Sequence, residues 1–195
     1  ASYPEVYSVP KIAGQNEKYL QAALRAYASG ERTHPTMDAI AKSTWSSFAY
    51  PLWCAVHALE PYIVLTADTG EQAEKYLEAI RDELETNEAI RRDYPQAGPG
   101  GVWRTNRIRL ANGCTVEAMG TGAKLRGRKS RQHRPSLVIV DDPQNTAHML
   151  SALQRDRSWD WLAKDVSNAG NPQTNIVVLG TALHRDCIVC RLQRT

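Results

Sequence analysis

The run Arg134-Pro135-Ser136-Leu137-Val138-Ile139-Val140-Asp141-Asp142-Pro143-Gln144 carries four consecutive apolar residues straight into two adjacent carboxylates. Three of the four are β-branched, which favours a strand, and a uniformly apolar strand is one buried on both faces. Such a strand delivers charge at its carboxyl end, where open α/β sheets place their ligand crevice. The same residues also suit a plainer arrangement, a buried strand entering an Asp-Pro turn with the acids capping the next helix. Segments on either side have to choose.

Working outward, Pro61-Tyr62-Ile63-Val64-Leu65-Thr66-Ala67 reads as a second buried strand. Thr69 stands three residues before Gln72, a capping-box pattern that predicts a helix with Ala73, Leu77, Ile80 and Leu84 on its inner face. Pro95 and the Gly98–Gly101 cluster end that segment. Arg107–Leu110, the Asn112-Gly113 pair and Cys114–Ala118 predict a β-hairpin. Beyond the aspartates, Ala147–Val166 is expected to be helical with Leu150, Leu153, Trp159 and Leu162 turned inward, and Asn175–Gly180 to be another buried strand. Upstream, residues 1–13 read as an extended arm and Gln15–Ser29 as a short amphipathic helix. Ala39–Leu59 reads as a largely buried helix that Pro51 bends or interrupts. Strands separated by helices predict a three-layer α/β sandwich with a mainly parallel central sheet and an added hairpin, the layout of P-loop ATPases. Residues 1–30 are expected to form an arm and helix, and 31–195 the core.

A chain of 195 residues fits one such core and can bury roughly 70% of its unfolded surface. It carries no apolar run near the ~20 residues that cross a bilayer and no signal-peptide pattern, so a cytoplasmic location without membrane contact is expected. Of Cys54, Cys114, Cys187 and Cys190 only the last two have ligand-like spacing, too few for a zinc site, and free thiols are expected. The net charge of +3 is modest, but six of the eleven residues from Lys124 to Arg134 are Lys or Arg and none is acidic. A first residue other than Met, and a carboxyl end just after a predicted helix begins, lead us to expect a fragment of a longer protein.

A P-loop ATPase needs a phosphate cradle ahead of its acidic strand. Thr36-Met37-Asp38-Ala39-Ile40-Ala41-Lys42-Ser43-Thr44 keeps the register of GxxxxGK[ST], with Thr36 and Ala41 where glycines usually stand. In that register Lys42 reaches the β- and γ-phosphates of ATP and Ser43 ligates Mg²⁺ at a helix start, beside Thr44; taken alone, the same run also reads as an ordinary amphipathic helix start.

Taken together, Ala41-Lys42-Ser43-Thr44, Pro61–Leu65, Asp68–Ala73, Glu85-Thr86-Asn87, Leu125-Arg126-Gly127, Asp141-Asp142-Pro143-Gln144 and Gly180–His184 occur in an order and spacing that resemble one family over about 150 residues. It is the ATPase domain of tailed-bacteriophage terminase large subunits, the DNA-packaging motors. Met37-Asp38-Ala39 departs from the Pro-Arg-Gly-like run common in the family. The resemblance implies that Asp141 holds Mg²⁺, that Asp142 orients and deprotonates the attacking water, and that Thr181 senses the γ-phosphate. A helix cap is the structural alternative for Thr181. It implies as partners double-stranded DNA, a small terminase subunit and a homo-oligomeric ring on the capsid portal in the host cytoplasm. A nuclease domain normally follows in the family and is absent from this sequence.

The basic run admits three roles: a solvated face, a groove for DNA phosphates, or an intersubunit edge presenting an arginine finger. Arg126 is the first choice for the finger and Arg128 the second; Lys124, Lys129 and Arg131 are assigned to DNA. His133 and His184 lack ligand partners and are read as structural. Two rivals stand beside the motor: a helicase-like P-loop ATPase of another superfamily, and a DNA-binding or scaffold module whose loop no longer binds nucleotide.

Overall fold

The computed structural model describes Ala26 and residues 42–194. The chain divides into two compact units, Ala1–Trp45 and Ser46–Thr195. In the first, Ala26, Lys42 and Ser43 are helical; Lys42 is exposed and Ser43 and Thr44 are half-buried. The expected arm, the remainder of the Gln15–Ser29 helix, and the cradle residues Thr36 and Ala41 lie outside the described residues.

The second unit is α/β. Its sheet has six strands: β1 (Tyr62–Ala67), β2 (Pro99–Trp103), β3 (Arg107–Leu110), β4 (Thr115–Gly120), β5 (Leu137–Asp141) and β6 (Asn175–Leu179). They lie in the order β2-β3-β4-β1-β5-β6. β4, β1, β5 and β6 are mutually parallel, while β3 and β2 add an antiparallel edge. The expected hairpin is present as β3 and β4, turning through Gly113 at φ 95°. β2 was not expected; the Gly98–Gly101 cluster read as a terminator is mostly strand. Gly100 passes so close to β3 that a methyl group there would stand 2.5 Å from the Arg109 carbonyl oxygen.

Alternate residues of the buried strands feed two cores. Ile63, Leu65, Leu137 and Ile139 meet one, together with α1 (Tyr50–Val56) and α2 (Gly70–Thr86), which α3 (Glu88–Asp93) follows. Tyr62, Val64, Val138 and Val140 meet the other, together with Leu125, Trp161, Leu162 and Val166. This is the three-layer arrangement expected. The Thr69 hydroxyl accepts from the Gln72 N–H at 3.2 Å to start α2, whose Ala73, Leu77, Ile80 and Leu84 are all buried as predicted.

Pro51 stands where the upstream helix changes its winding. It has no N–H, and its ring would press on the carbonyl of Ser47. Thr44–Ala49 is wound as a π-helix, and Pro51 falls in the first turn of α1, where a missing N–H matters least.

Two expectations need correction. The helix over Ala147–Val166 is three pieces: α4 (Thr146–Met149), α5 (Ala152–Asp160) and a π-helix over Trp161–Val166. Ser151 adopts an extended conformation and caps α5, and this break resets the rotation of the helix. Leu150 and Leu153 therefore face outward, 85% and 59% exposed, while Leu162 is buried. β6 is half-exposed rather than buried, because among the described strands it is the outermost of the parallel set and has β5 as its one partner.

Candidate functional site

Parity along β5 decides where Asp141 looks. Leu137 and Ile139 point into the core beneath α1, so Asp141 points the same way. It is 2% exposed, and its Oδ2 accepts a 2.7 Å hydrogen bond from Ser47 Oγ, on the π-helix leading into α1. Among the described residues no cationic side chain reaches it. Leaving a buried carboxylate without a cation is costly unless hydrogen bonds and an outside charge compensate.

Asp142 follows in the left-handed region at φ 40°, a conformation that costs a non-glycine residue roughly 1 kcal/mol. Its N–H bonds the Leu179 carbonyl at 3.0 Å, which ties the ends of β5 and β6 together. A methyl group on Gly180 would stand 3.7 Å from Asp142 Oδ1, so the exposed carboxylate lies over the start of the Gly180–His184 segment. Thr181 is in that segment and exposed. It caps no helix: its carbonyl accepts from Leu183 N–H, and α6 (Ile188–Leu192) is capped by Cys187.

β1 and β5 are neighbours, yet the chain leaves them over opposite faces. α2 follows β1 on one side and the Trp161–Val166 segment follows β5 on the other. The gap between such a pair is the switch point at which α/β sheets bind ligands. Asp68 stands at its β1 side, where its Oδ2 accepts from Asn145 Nδ2 at 2.9 Å and its Oδ1 lies 3.6 Å from His148 Nδ1.

Gln144 is a residue that sequence reasoning missed. Its side chain is 9% exposed, Oε1 accepts from Ile188 N–H at 2.8 Å, and Nε2 has no partner among the described residues. Nothing but its place after Asp141-Asp142 could have flagged it. The Ser47 contact was equally hidden, because Ser43 and Ser47 share one helical stretch and spacing alone favoured the first.

The basic run is anchored at Leu125, Arg128 and Ser130. Leu125 is fully buried, and Arg128 donates through Nε to the Lys124 carbonyl and through its guanidinium to the buried carboxylate of Glu117 on β4. The Tyr62 hydroxyl donates to the same carboxylate, and Arg107 lies 3.8 Å away. Burial, then the bond to Glu117, push the Tyr62 phenol well above its ordinary range, against the pull of both arginines. Arg128 is thus occupied, whereas Arg126 is exposed and makes no ion pair or side-chain hydrogen bond among the described residues.

The run also splits between the two ends of the sheet. Lys124 and Arg126 come just after the carboxyl end of β4. Ser130, hydrogen-bonded to Thr115 at 2.8 Å, brings exposed Lys129 and Arg131 to the amino end. Arg131 and His133 there line a 210 Å³ cavity with Ala58, Asn112 and Ser130. Asp141, Asp142 and Thr181 therefore share one end of the sheet, and Lys129 and Arg131 occupy the other. Lys42, Ser43 and Thr44 belong to the first unit.

Among the described residues no three His, Cys, Asp or Glu side chains gather as a metal site, and no helix is long and apolar enough to cross a membrane. No protein-family model matches the chain, and no curated protein matches it.

Proposed function

We propose that this chain is the ATP-hydrolysing motor domain of a terminase large subunit, a P-loop NTPase that drives double-stranded DNA into a procapsid as a ring of identical subunits. The observation that carries the reading is Asp141: a buried carboxylate at the tip of a central parallel strand, beside a switch point, met by a serine hydroxyl and no described cation. Hard oxygen donors of this kind suit Mg²⁺, which takes one or two carboxylates and leaves its other positions to water and phosphate oxygens. Asp141 would hold the ion, with Ser43 as the hydroxyl ligand that the motif supplies; when bound, it neutralises charge on the phosphates.

Asp142 orients a water in line with the γ-phosphate and takes its proton. The water oxygen bonds to phosphorus, the bond to the bridging oxygen breaks, and ADP leaves with the electron pair. Positioning and charge stabilisation supply most of the rate in such transfers. Lys42 and Thr44 keep the phosphate-binding roles of their motif, with Thr36 and Ala41 in the cradle. Thr181, beside Asp142 at the next strand tip, would sense the γ-phosphate. Arg126 is favoured over Arg128 as the finger offered to a neighbouring subunit, since Glu117 already holds Arg128. Lys124, Lys129 and Arg131 are left to contact DNA phosphates.

ATP binding with and without Mg²⁺, followed by phosphate release against protein concentration with and without duplex DNA, tests the reading. Mg²⁺-dependent binding and a turnover per subunit that rises with concentration and with DNA are expected. Absence of Mg²⁺-dependent binding would end the motor reading in favour of a DNA-binding or scaffold module. Turnover indifferent to concentration would favour a helicase-like ATPase of another superfamily.

A further inference from the structure

Cys187 and Cys190 play no part in the hydrolysis proposed above, yet they are not arranged as inert core thiols. Cys187 has extended backbone, φ −70° and ψ 163°, and stands as the N-cap of α6; its Sγ accepts from the Cys190 N–H at 3.5 Å. Residues three apart on a helix have Cβ atoms about 5–6 Å apart, somewhat beyond the ~3.5–4.5 Å of a disulfide, so closure has to draw the N-cap and the first turn together. Cys187 is 2% exposed while Cys190 is half-buried, so one sulfur is shielded and the other can be reached.

Their electrostatics are opposed, and the shielded sulfur is the more readily ionised of the two. Burial pushes the Cys187 thiol up, but N–H groups of Cys190 and Val189 and the Cys190 thiol outweigh it and hold Cys187 below the ordinary thiol range. The bond it makes to Cys187, then burial, push Cys190 up, with Arg194 pulling the other way. The remaining cysteines contrast with this pair. Cys114 is 2% exposed, donates to the Glu60 carbonyl at 3.1 Å and is pushed up to about 12 by burial first, while Cys54 is 1% exposed and also raised by burial.

We propose that Cys187 and Cys190 are a redox-active dithiol that closes reversibly to an intrachain disulfide by exchange with a small disulfide such as glutathione disulfide. Cys190 sulfur, the accessible one, loses its proton and attacks the oxidant to form a mixed disulfide, releasing one glutathione thiolate. Cys187 sulfur then attacks Cys190 Sγ, the intrachain bond forms, and the second glutathione leaves. Two electrons pass to the oxidant, and the two thiol protons end on the two glutathiones. Ile188, between the cysteines, holds Gln144, and Val189 packs so near Gly180 that a methyl there would stand 2.9 Å from its Cγ2. The ring is thus attached to the segments that follow β5 and β6, and Gln144 is the first residue beyond it that feels closure.

Trypsin releases both cysteines in one peptide, residues 186–191, which makes the test direct. The whole chain is equilibrated in glutathione buffers of graded ratio, quenched by alkylation in the native state, digested and weighed. We expect this peptide to become lighter by two hydrogens and unreactive to alkylation as the buffer is made oxidising, and to recover on reduction, with Cys54 and Cys114 remaining reduced throughout. A peptide that keeps two alkylatable thiols at every ratio, or that retains glutathione instead of closing, would overturn the proposal. Cys187→Ser keeps an oxygen acceptor for the cap and should preserve the fold while trapping one glutathione on Cys190. Failure of that variant to take up glutathione would overturn the order of attack.

Discussion

Glu117 and Asp141 are both buried carboxylates, 5% and 2% exposed, on the two strands that flank β1, and their surroundings are opposite. Glu117 gathers Arg128, Arg107 and the Tyr62 hydroxyl, donors from three separate segments. Asp141 has the Ser47 hydroxyl. An acid surrounded by its own cations is part of the fold and has nothing left to offer a ligand. An acid given one neutral donor at a strand tip keeps its capacity for a cation brought from outside, which separates the candidate site from an equally buried structural ion pair.

The comparison breaks most visibly under amide substitution. Asp141→Asn is expected to lower ATP turnover by about 100-fold or more, the scale of removing one element of transition-state charge control, with Tm nearly unchanged. Glu117→Gln is expected to do the reverse. It leaves arginine charge partly buried, and, discounted because Arg128 is 40% exposed, the loss is about 2 kcal/mol in urea unfolding with turnover per folded molecule retained. If Asp141→Asn unfolds the protein as readily as Glu117→Gln, Asp141 is structural and the function built on it fails.

Asp142 sharpens the same contrast. Its left-handed backbone is strain held at a strand tip, as functional sites often hold it. Asp142→Gly should relieve that strain and raise stability by up to about 1 kcal/mol while turnover falls and ATP binding persists. A variant that is both less stable and unable to bind ATP would make Asp142 a fold residue.

Ser47→Ala is expected to act more weakly, costing about 1–2 kcal/mol by leaving the buried Asp141 oxygen without its donor. Unfolding in urea checks it. A change under about 0.3 kcal/mol would mean that water replaces the hydroxyl and that Asp141 is wetter than its burial indicates.

The parts of this molecule that follow from local chemistry were legible before any coordinates. β1 and β5 announce themselves as apolar runs, Thr69 and Gln72 mark the start of α2, and Asn112-Gly113 marks the hairpin turn between β3 and β4. What escaped depends on contacts distant in sequence. Leu150 and Leu153 fit an inward stripe until Ser151 restarts the helix. Val177 and Val178 look like core, but an apolar strand does not say how many neighbours it has. Ser47 meets Asp141 across 94 residues, and Glu117 collects Arg128 from a loop whose charges were open to a solvated face, a DNA groove or an arginine finger. The acidic pair was legible as a candidate site because an apolar strand ending in charge is a local pattern; the hydroxyl that meets Asp141 and the arginines that Glu117 holds are not local.

The smallest expected effect isolates the closed side of the comparison by pH. Below about 10 the phenol of Tyr62 is protonated in folded and unfolded chains alike. As pH rises further the unfolded chain ionises first, because burial and the bond to Glu117 raise the folded-state value. The unfolded state then holds fewer protons, so stability falls with pH from about 10 upward, by at most ~1.4 kcal/mol per pH unit for this one group. Cys114, raised to about 12, adds a loss of the same sign that begins lower, so the wild-type slope alone does not identify Tyr62. Tyr62→Phe removes the phenol, costs about 1 kcal/mol at pH 8 through the lost hydrogen bond, and should leave a shallower decline between pH 10 and 11. Parallel urea-derived stabilities for the two proteins over that interval would mean that Glu117 does not hold the phenol. The arginines alone would then balance Glu117, and the contrast with Asp141 would rest on them.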